Sequence, residues 1–182
     1  MHAFSIALAL TLTPVSAIAQ QFGAADLAPY IPTPQVLVER MLEAGHVKPG
    51  DMVYDLGSGD GRIVITAAQK FGAKAVGVEI RPDLCRIATE RIKSLGLEDR
   101  VSMVQGNALR VDLSPADVVT MYLLTSSNER LRPNLEKYLK PGARVVSNEF
   151  PIKGWKPIET VRVKSGSSME HTIYVYEVGR TK

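Results

Sequence analysis

The 182-residue chain is 45% hydrophobic and 23% charged, which suits one globular domain with an ordinary core and leaves no room for a second. Its formal charge of +3 and pI near 9.0 come from Lys and Arg scattered without a run, a mild bias towards acidic partners and weak evidence for nucleic acid. The single cysteine, Cys85, excludes an internal disulfide and a zinc site built on thiolates, and no metal site is expected.

The chain opens on "MHAFSIALALTLTPVSAIAQQ", without Asp, Glu, Lys or Arg, with an apolar run from Ala3 to Leu12 and Ala17-Ile18-Ala19 before Gln20. Residues 1–19 have the layout of an export signal with an A-x-A cleavage site, although only His2 stands where a positive n-region belongs. The run is shorter than the about 20 apolar residues of a spanning helix. The alternatives are an uncleaved membrane-surface anchor or a misassigned start. Cleavage after Ala19 implies a periplasmic or secreted domain over residues 20–182, and the alternatives imply the cytoplasmic face.

In "YIPTPQVLVERMLEAG", Thr33 can cap a helix that tolerates Pro34 in its first turn and ends at Gly45. Met52 to Leu56 form a strand, "RIVITAAQKFG" a helix closed by Gly72, and "AKAVGVE" a buried strand. Pro82 to Leu95 make an amphipathic helix stopped at Gly96, followed by a strand from Val101 to Gln105. "ADVVTMYLL" is the fourth strand, "SSNERLRPNLEKYL" a helix interrupted by Pro133, and "ARVVSNEF" the fifth strand. Alternating apolar and polar residues over 159–164 and 171–178, around "SGSSM", predict an antiparallel hairpin spanning 159–178. The whole predicts an α/β fold: a Rossmann-like, doubly wound, mostly parallel seven-stranded sheet with a C-terminal antiparallel hairpin.

The stretch "VYDLGSGDGRIVI" runs a strand into Gly57-Ser58-Gly59-Asp60-Gly61 and then a helix, so backbone N–H groups gather at the carboxyl edge of the sheet. No Lys-Ser or Lys-Thr follows, which excludes a P-loop. A dinucleotide loop needs G-x-G-x-x-G. Here the third glycine comes one residue early, and Asp60 would repel a pyrophosphate. Asp55 adds a second carboxylate at the same edge, so a cationic ligand is favoured. A ligand with an adenosine, a sulfonium and an amine, and no phosphate, is S-adenosylmethionine. Glu79, after the second strand, is placed for its ribose, and Gly106-Asn107-Ala108, after the third, for its adenine.

With these residues in place, the chain resembles the class I, seven-strand methyltransferases over Val53–Gly61, Val76–Glu79, Gly106–Ala108, Asp117–Leu124 and the "LKPG" before the fifth strand. "PYIPTP", "DVVTMYLL", "LRPNLEKYLKPGARVVS" and Trp155 narrow the resemblance to small protein-lysine methyltransferases. These include the mitochondrial enzymes for ATP synthase subunit c and the adenine nucleotide translocase, with their prokaryotic relatives. The resemblance implies that Asp55, Gly57, Ser58, Gly59, Asp60 and Gly61 hold the methionine half of the cofactor, Glu79 the ribose, and Asn107 and Ala108 the adenine. Tyr30 and Thr33 would belong to a lid at the start of the 30–45 helical segment, over a cofactor-binding core of residues 51–150. Asn107 stands where the family commonly has Asp.

Methyl transfer is an in-line displacement, and a lysine acceptor must first lose its proton. Tyr122, Asn128 and Glu149, after the fourth and fifth strands, are the candidates to line the acceptor channel, steer the amine or take its proton. Trp155 is expected to pack beside the pocket, and His46 and His171 to be structural or solvated. The absence of [DNS]-P-P-[YF] after strand four argues against planar amide or base nitrogens as acceptors. The position of Cys85 on a helix argues against cytosine C5 chemistry. The expected function is protein-lysine N-methylation, with small-molecule or RNA methylation, or an exported non-catalytic adenosine-ligand or partner binder, as the alternatives.

Overall fold

The computed structural model describes residues 27–166 and 169–181. The leader and its cleavage point lie outside the described residues. Seven strands form one sheet: β1 (Met52–Leu56), β2 (Lys74–Glu79), β3 (Val101–Gln105), β4 (Val118–Met121), β5 (Arg144–Asn148), β6 (Glu159–Ser165) and β7 (Met169–Glu177). Their order is β3-β2-β1-β4-β5-β7-β6. Strands β1 to β5 are parallel, while β7 runs antiparallel between β5 and β6. The Rossmann-like, doubly wound sheet expected from the sequence is therefore present, and its C-terminal hairpin is part of the sheet.

Alternating side chains divide the core between the two faces. Val53, Val118, Val146 and Val175 point to α1 (Gln35–Ala44) and α2 (Arg62–Phe71), whose Leu37, Met41 and Val64 are fully buried. Leu56, Val119, Val145 and Tyr176 point to the opposite layer, which includes α4 (Thr125–Tyr138) with Leu131 and Leu135. Helix α3 (Pro82–Ser94) starts on Pro82 and buries Leu84, Cys85, Ala88 and Ile92, a single helical stripe.

Three local expectations change. Helix α1 begins after Pro34, whose carbonyl accepts from Leu37 and Val38, and Thr33 makes no side-chain cap. Pro133 does not interrupt α4, because it lies on the exposed face of that helix, where water can serve the carbonyl it leaves unpaired. The fourth and fifth strands are shorter than their apolar runs, so Tyr122 and Glu149 sit in the loops that follow. Trp155 belongs to the second core, edge-on to Tyr176 with centroids 5.7 Å apart, and its Nε1 donates to Glu136 at 3.0 Å.

Candidate active site

Strand β1 has β2 on one side and β4 on the other, so the chain order reverses there, the place where open α/β sheets bind ligands. The loop leaving β1 turns through left-handed Gly57, Gly59 and Gly61, a conformation that disfavours any side chain. Gly57 and Ser58 donate to the Val78 carbonyl at 2.9 and 3.0 Å, and Gly59 N–H donates to Glu79 Oε2 at 2.7 Å. The other Glu79 oxygen accepts from Arg81 N–H at 2.9 Å. The β1 loop is thus fastened to the end of β2, with the Glu79 carboxylate fixed between them.

A cavity of about 330 Å³ opens over this loop. Asp55, Gly57, Ser58, Gly59, Glu79 and Ala108 line it from the sheet side, while Tyr30 and Thr33 cover it and Tyr122 stands at the β4 side. Asp55 is 2% exposed and accepts from Thr120 Oγ1 at 2.8 Å. Burial outweighs that hydrogen bond and pushes its carboxyl up to about 6. The Tyr30 ring lies so close to Gly59 that a Cβ there would meet Tyr30 Cε2 at 2.6 Å.

Asp60 lines the cavity as well, whereas several other candidates do not. The Asp60 carboxylate receives Nε and Nη2 of Arg62 at 2.8 and 2.7 Å, with Arg91 at 3.6 Å. Burial would raise its carboxyl, but these guanidinium groups outweigh it and hold Asp60 below the usual carboxylate range. Its negative charge is therefore largely spent on arginine, and Asp55 and Glu79 supply the charge that favours a cation. Gly61 does not line the cavity: it faces α3, where a Cβ would meet that of Ala88 at 3.0 Å. Asn107 does not line it either. Its Oδ1 accepts from Leu109 N–H at 2.9 Å, capping the 3₁₀ turn Ala108–Arg110, while Gly106 and Ala108 face the cavity. Asn128 lines neither this cavity nor the groove beside it. Its Nδ2 donates to the Phe150 carbonyl at 2.8 Å and to Ser147 Oγ at 3.3 Å, fastening the turn after β5.

Tyr122 lines both the cavity and a shallow groove that continues from it past Leu124 and Phe150. Its ring stacks on Phe150 with centroids 6.2 Å apart, and its phenol is raised by burial and then by the Glu149 carboxylate. Glu149 Oε1 lies 2.6 Å from His171 Nδ1. His171, expected to be structural or solvated, is 4% exposed, and because β7 runs antiparallel its first residues reach the carboxyl edge of β5. Sequence reasoning also passed over Thr120, Arg62 and Asn148. Arg62 could have been found as a cation next to Asp60. Its Nη1 also donates to the Thr33 carbonyl at 2.7 Å, tying the covering segment to the glycine loop. Thr120 lies inside β4, and Asn148 ends β5 directly after Ser147; neither carried a local signal.

The residues present fit S-adenosylmethionine. Asp55 offers a buried carboxylate for a cation, and the fixed Glu79 carboxylate can accept from a diol. A family model described as the ANTKMT methyltransferase domain matches residues 55–159. A "Protein-lysine N-methyltransferase" of Saccharolobus islandicus (strain REY15A) is 55% identical over 85% of this chain and 96% of that protein. The "Adenine nucleotide translocase lysine N-methyltransferase" of Mus musculus is 36% identical over 73% of this chain, which spans only 58% of the mouse protein. Among solved structures, the RNA methyltransferase from Salinibacter ruber in complex with S-adenosyl-L-homocysteine superposes with a TM-score of 0.77. It is 46% identical, over 81% of this chain and 94% of that one. The chain belongs to the family of the ANTKMT methyltransferase domain and is a methyltransferase that uses S-adenosylmethionine.

Proposed function

We propose that this methyltransferase acts on the ε-amine of lysine in protein substrates. The observation that carries the reading is the 55% identity to a protein-lysine N-methyltransferase across 96% of that protein's length. The site supports it: an open groove at Tyr122 admits a side chain protruding from a larger molecule, and its walls Ile31, Leu124 and Phe150 suit an aliphatic stem. When bound, the cofactor supplies a methyl group activated on a sulfonium. The protein positions the amine in line with that methyl and removes its proton, because a lysine near pKa 10.4 is mostly protonated at neutral pH. Tyr122 borders the route and Glu149 is the neighbouring carboxylate able to take the proton.

The likeness to an RNA methyltransferase at 46% identity motivates a second reading, RNA as the acceptor. Incubating the full chain with methyl-labelled cofactor and a lysate of the source cell separates the two. Label recovered as methyl-lysine in protein supports the proposal; label confined to nucleic acid overturns it. We also propose that residues 1–19 are a leader removed before Gln20, on the strength of the Ala17-Ile18-Ala19 pattern. Intact mass of the cellular protein checks this, and a full-length chain in the membrane fraction would favour the anchor instead. Among the described residues, no helix is long and apolar enough to cross a membrane.

A further inference from the structure

We infer that Asn148, Glu149 and His171 form the seat of the acceptor amine; this rests on the lysine reading above. Asn148 and Glu149 contact the amine in this arrangement, and His171 is a positioning residue whose Nδ1 stands 2.6 Å from Glu149 Oε1, at ion-pair distance without hydrogen-bond geometry.

The placement follows from register. Asp55 pairs with Thr120, and Thr120 with Val146, so all three share the sheet face that carries the α1 and α2 core. Asn148 pairs with Ile173, a member of the same core, and therefore lies on that face too. Tyr122 follows Thr120 by two residues and Asn148 follows Val146 by two, which sets them side by side beyond the hydrogen-bonded ladder. Crossing the carboxyl edge from β1 to β5, one meets Asp55 at the cofactor cavity, then Tyr122, then Asn148. Asp55 and Asn148 thus stand on opposite sides of Tyr122, and the methyl and the amine would meet beside its ring.

Asn148 is fully buried, and neither its amide oxygen nor its amide nitrogen has a hydrogen-bond partner among the described residues. Native proteins seldom leave such a group unpaired without a use for it. Glu149 has φ +63°, a left-handed conformation unfavourable for a residue with a side chain, and such strain collects at functional sites. Its N–H donates to the Thr172 carbonyl at 2.8 Å, and Asn128 grips the next carbonyl from the other side. The turn has a clear effect. Regular alternation would send Glu149 to the face opposite Asn148, yet its carboxylate reaches His171, which is paired with Val163 of the same core. His171 is 4% exposed, so its ring cannot swing away from Glu149 into solvent.

Asn148 and Glu149 line neither the cavity nor the groove as they stand, so a lysine entering past Phe150 reaches the amide oxygen and the carboxylate only by displacing the groove wall. The ammonium passes one proton to Glu149, which frees the nitrogen lone pair. That lone pair forms the new N–C bond as the C–S bond breaks with its electrons staying on sulfur, and the proton leaves through the partly exposed Glu149 side chain. The other carboxylates near the cavity are committed: Asp55 accepts from Thr120, Asp60 from Arg62, and Glu79 from two backbone N–H groups.

The test uses the full chain, methyl-deuterated S-adenosylmethionine and source-cell lysate, with methyl-lysine read by mass spectrometry. Binding of n-butylamine to the S-adenosylhomocysteine-loaded protein is followed separately by NMR. Asn148→Leu, similar in volume and without polar atoms, should keep the thermal midpoint and the S-adenosylhomocysteine affinity, lower lysine labelling at least tenfold and lose butylamine binding. Glu149→Gln should lower the turnover about 100-fold. His171→Leu should lower labelling about tenfold. His171→Asn, whose amide nitrogen can stand where Nδ1 stood, should restore most of it. Labelling within twofold of wild type in both Asn148→Leu and Glu149→Gln overturns the seat. Should Asn148→Leu fail to fold, Glu149→Gln and the His171 pair decide, and equal rates for His171→Leu and His171→Asn overturn the positioning role. A wild-type protein that labels no lysine overturns the lysine reading itself, a result distinct from active variants.

Discussion

Asp55 joins fold and function in one side chain. Its carboxyl titrates near 6 instead of 3.8 because burial disfavours the charge more than the Thr120 hydroxyl favours it. The folded form therefore keeps a proton that the unfolded chain releases between about pH 4 and 6. Its contribution to stability is fully present below about pH 4 and is lost as pH rises through 6. The difference amounts to about 3 kcal/mol at most. In the cofactor-free protein, Asp55→Asn should raise the thermal midpoint relative to wild type at pH 8 and give little or no gain at pH 4. A cationic ligand favours the ionised carboxylate, so the affinity of wild type for S-adenosylmethionine should fall as pH drops below 6. The variant should bind weakly at every pH, and calorimetry from pH 5 to 8 checks both slopes. A flat wild-type profile would mean that Asp55 does not face the cation.

The glycine loop shows that two similar residues act on different elements. Gly59 lies under the Tyr30 ring, whereas Gly61 lies against Ala88 of α3. Gly59→Ala would push Tyr30 off the cavity, and we expect S-adenosylhomocysteine affinity to fall about tenfold or more. Gly61→Ala would strain a left-handed residue and separate α2 from α3, costing on the order of 1–2 kcal/mol. Its thermal midpoint should fall while the folded fraction binds the ligand with near wild-type affinity. Denaturation curves and ligand titrations of both variants distinguish these effects. Period and punctuation made the elements legible in advance: alternating strands and helices, Gly72 and Gly96 as stops, and Pro82 as a start all stand where they were expected. The site was legible where one backbone loop defines it, at Asp55, Gly57, Gly59 and Glu79. It was hidden where the role depends on a partner distant in sequence. Nothing local tells that Arg91 joins Arg62 at Asp60, or that His171 returns to the edge of β5.

At the scale of the molecule, the C-terminal hairpin is the least autonomous part of the sheet and the one that completes it. Strand β7 pairs with β5 over five residues, from Arg144 with Glu177 to Asn148 with Ile173. Ile173 and Val175 fill one core and Tyr176 the other, each fully buried. The Tyr176 hydroxyl oxygen also accepts from Ile152 N–H at 3.0 Å and so steadies the segment after Phe150. A chain ending at residue 156 would expose the edge of β5, open both cores and remove His171 together with the Thr172 carbonyl that holds Glu149. The cofactor loop lies three strands away and keeps all its direct residues. If the sheet were modular, such a fragment would still bind S-adenosylhomocysteine. We expect instead that it lacks a cooperative thermal transition and shows no midpoint shift with saturating ligand. The intact chain should shift by several degrees, because a ligand at 100 times its dissociation constant adds about 2.7 kcal/mol. Circular dichroism with and without ligand measures both, and a cooperative, ligand-stabilised fragment would show that the hairpin serves only the acceptor side.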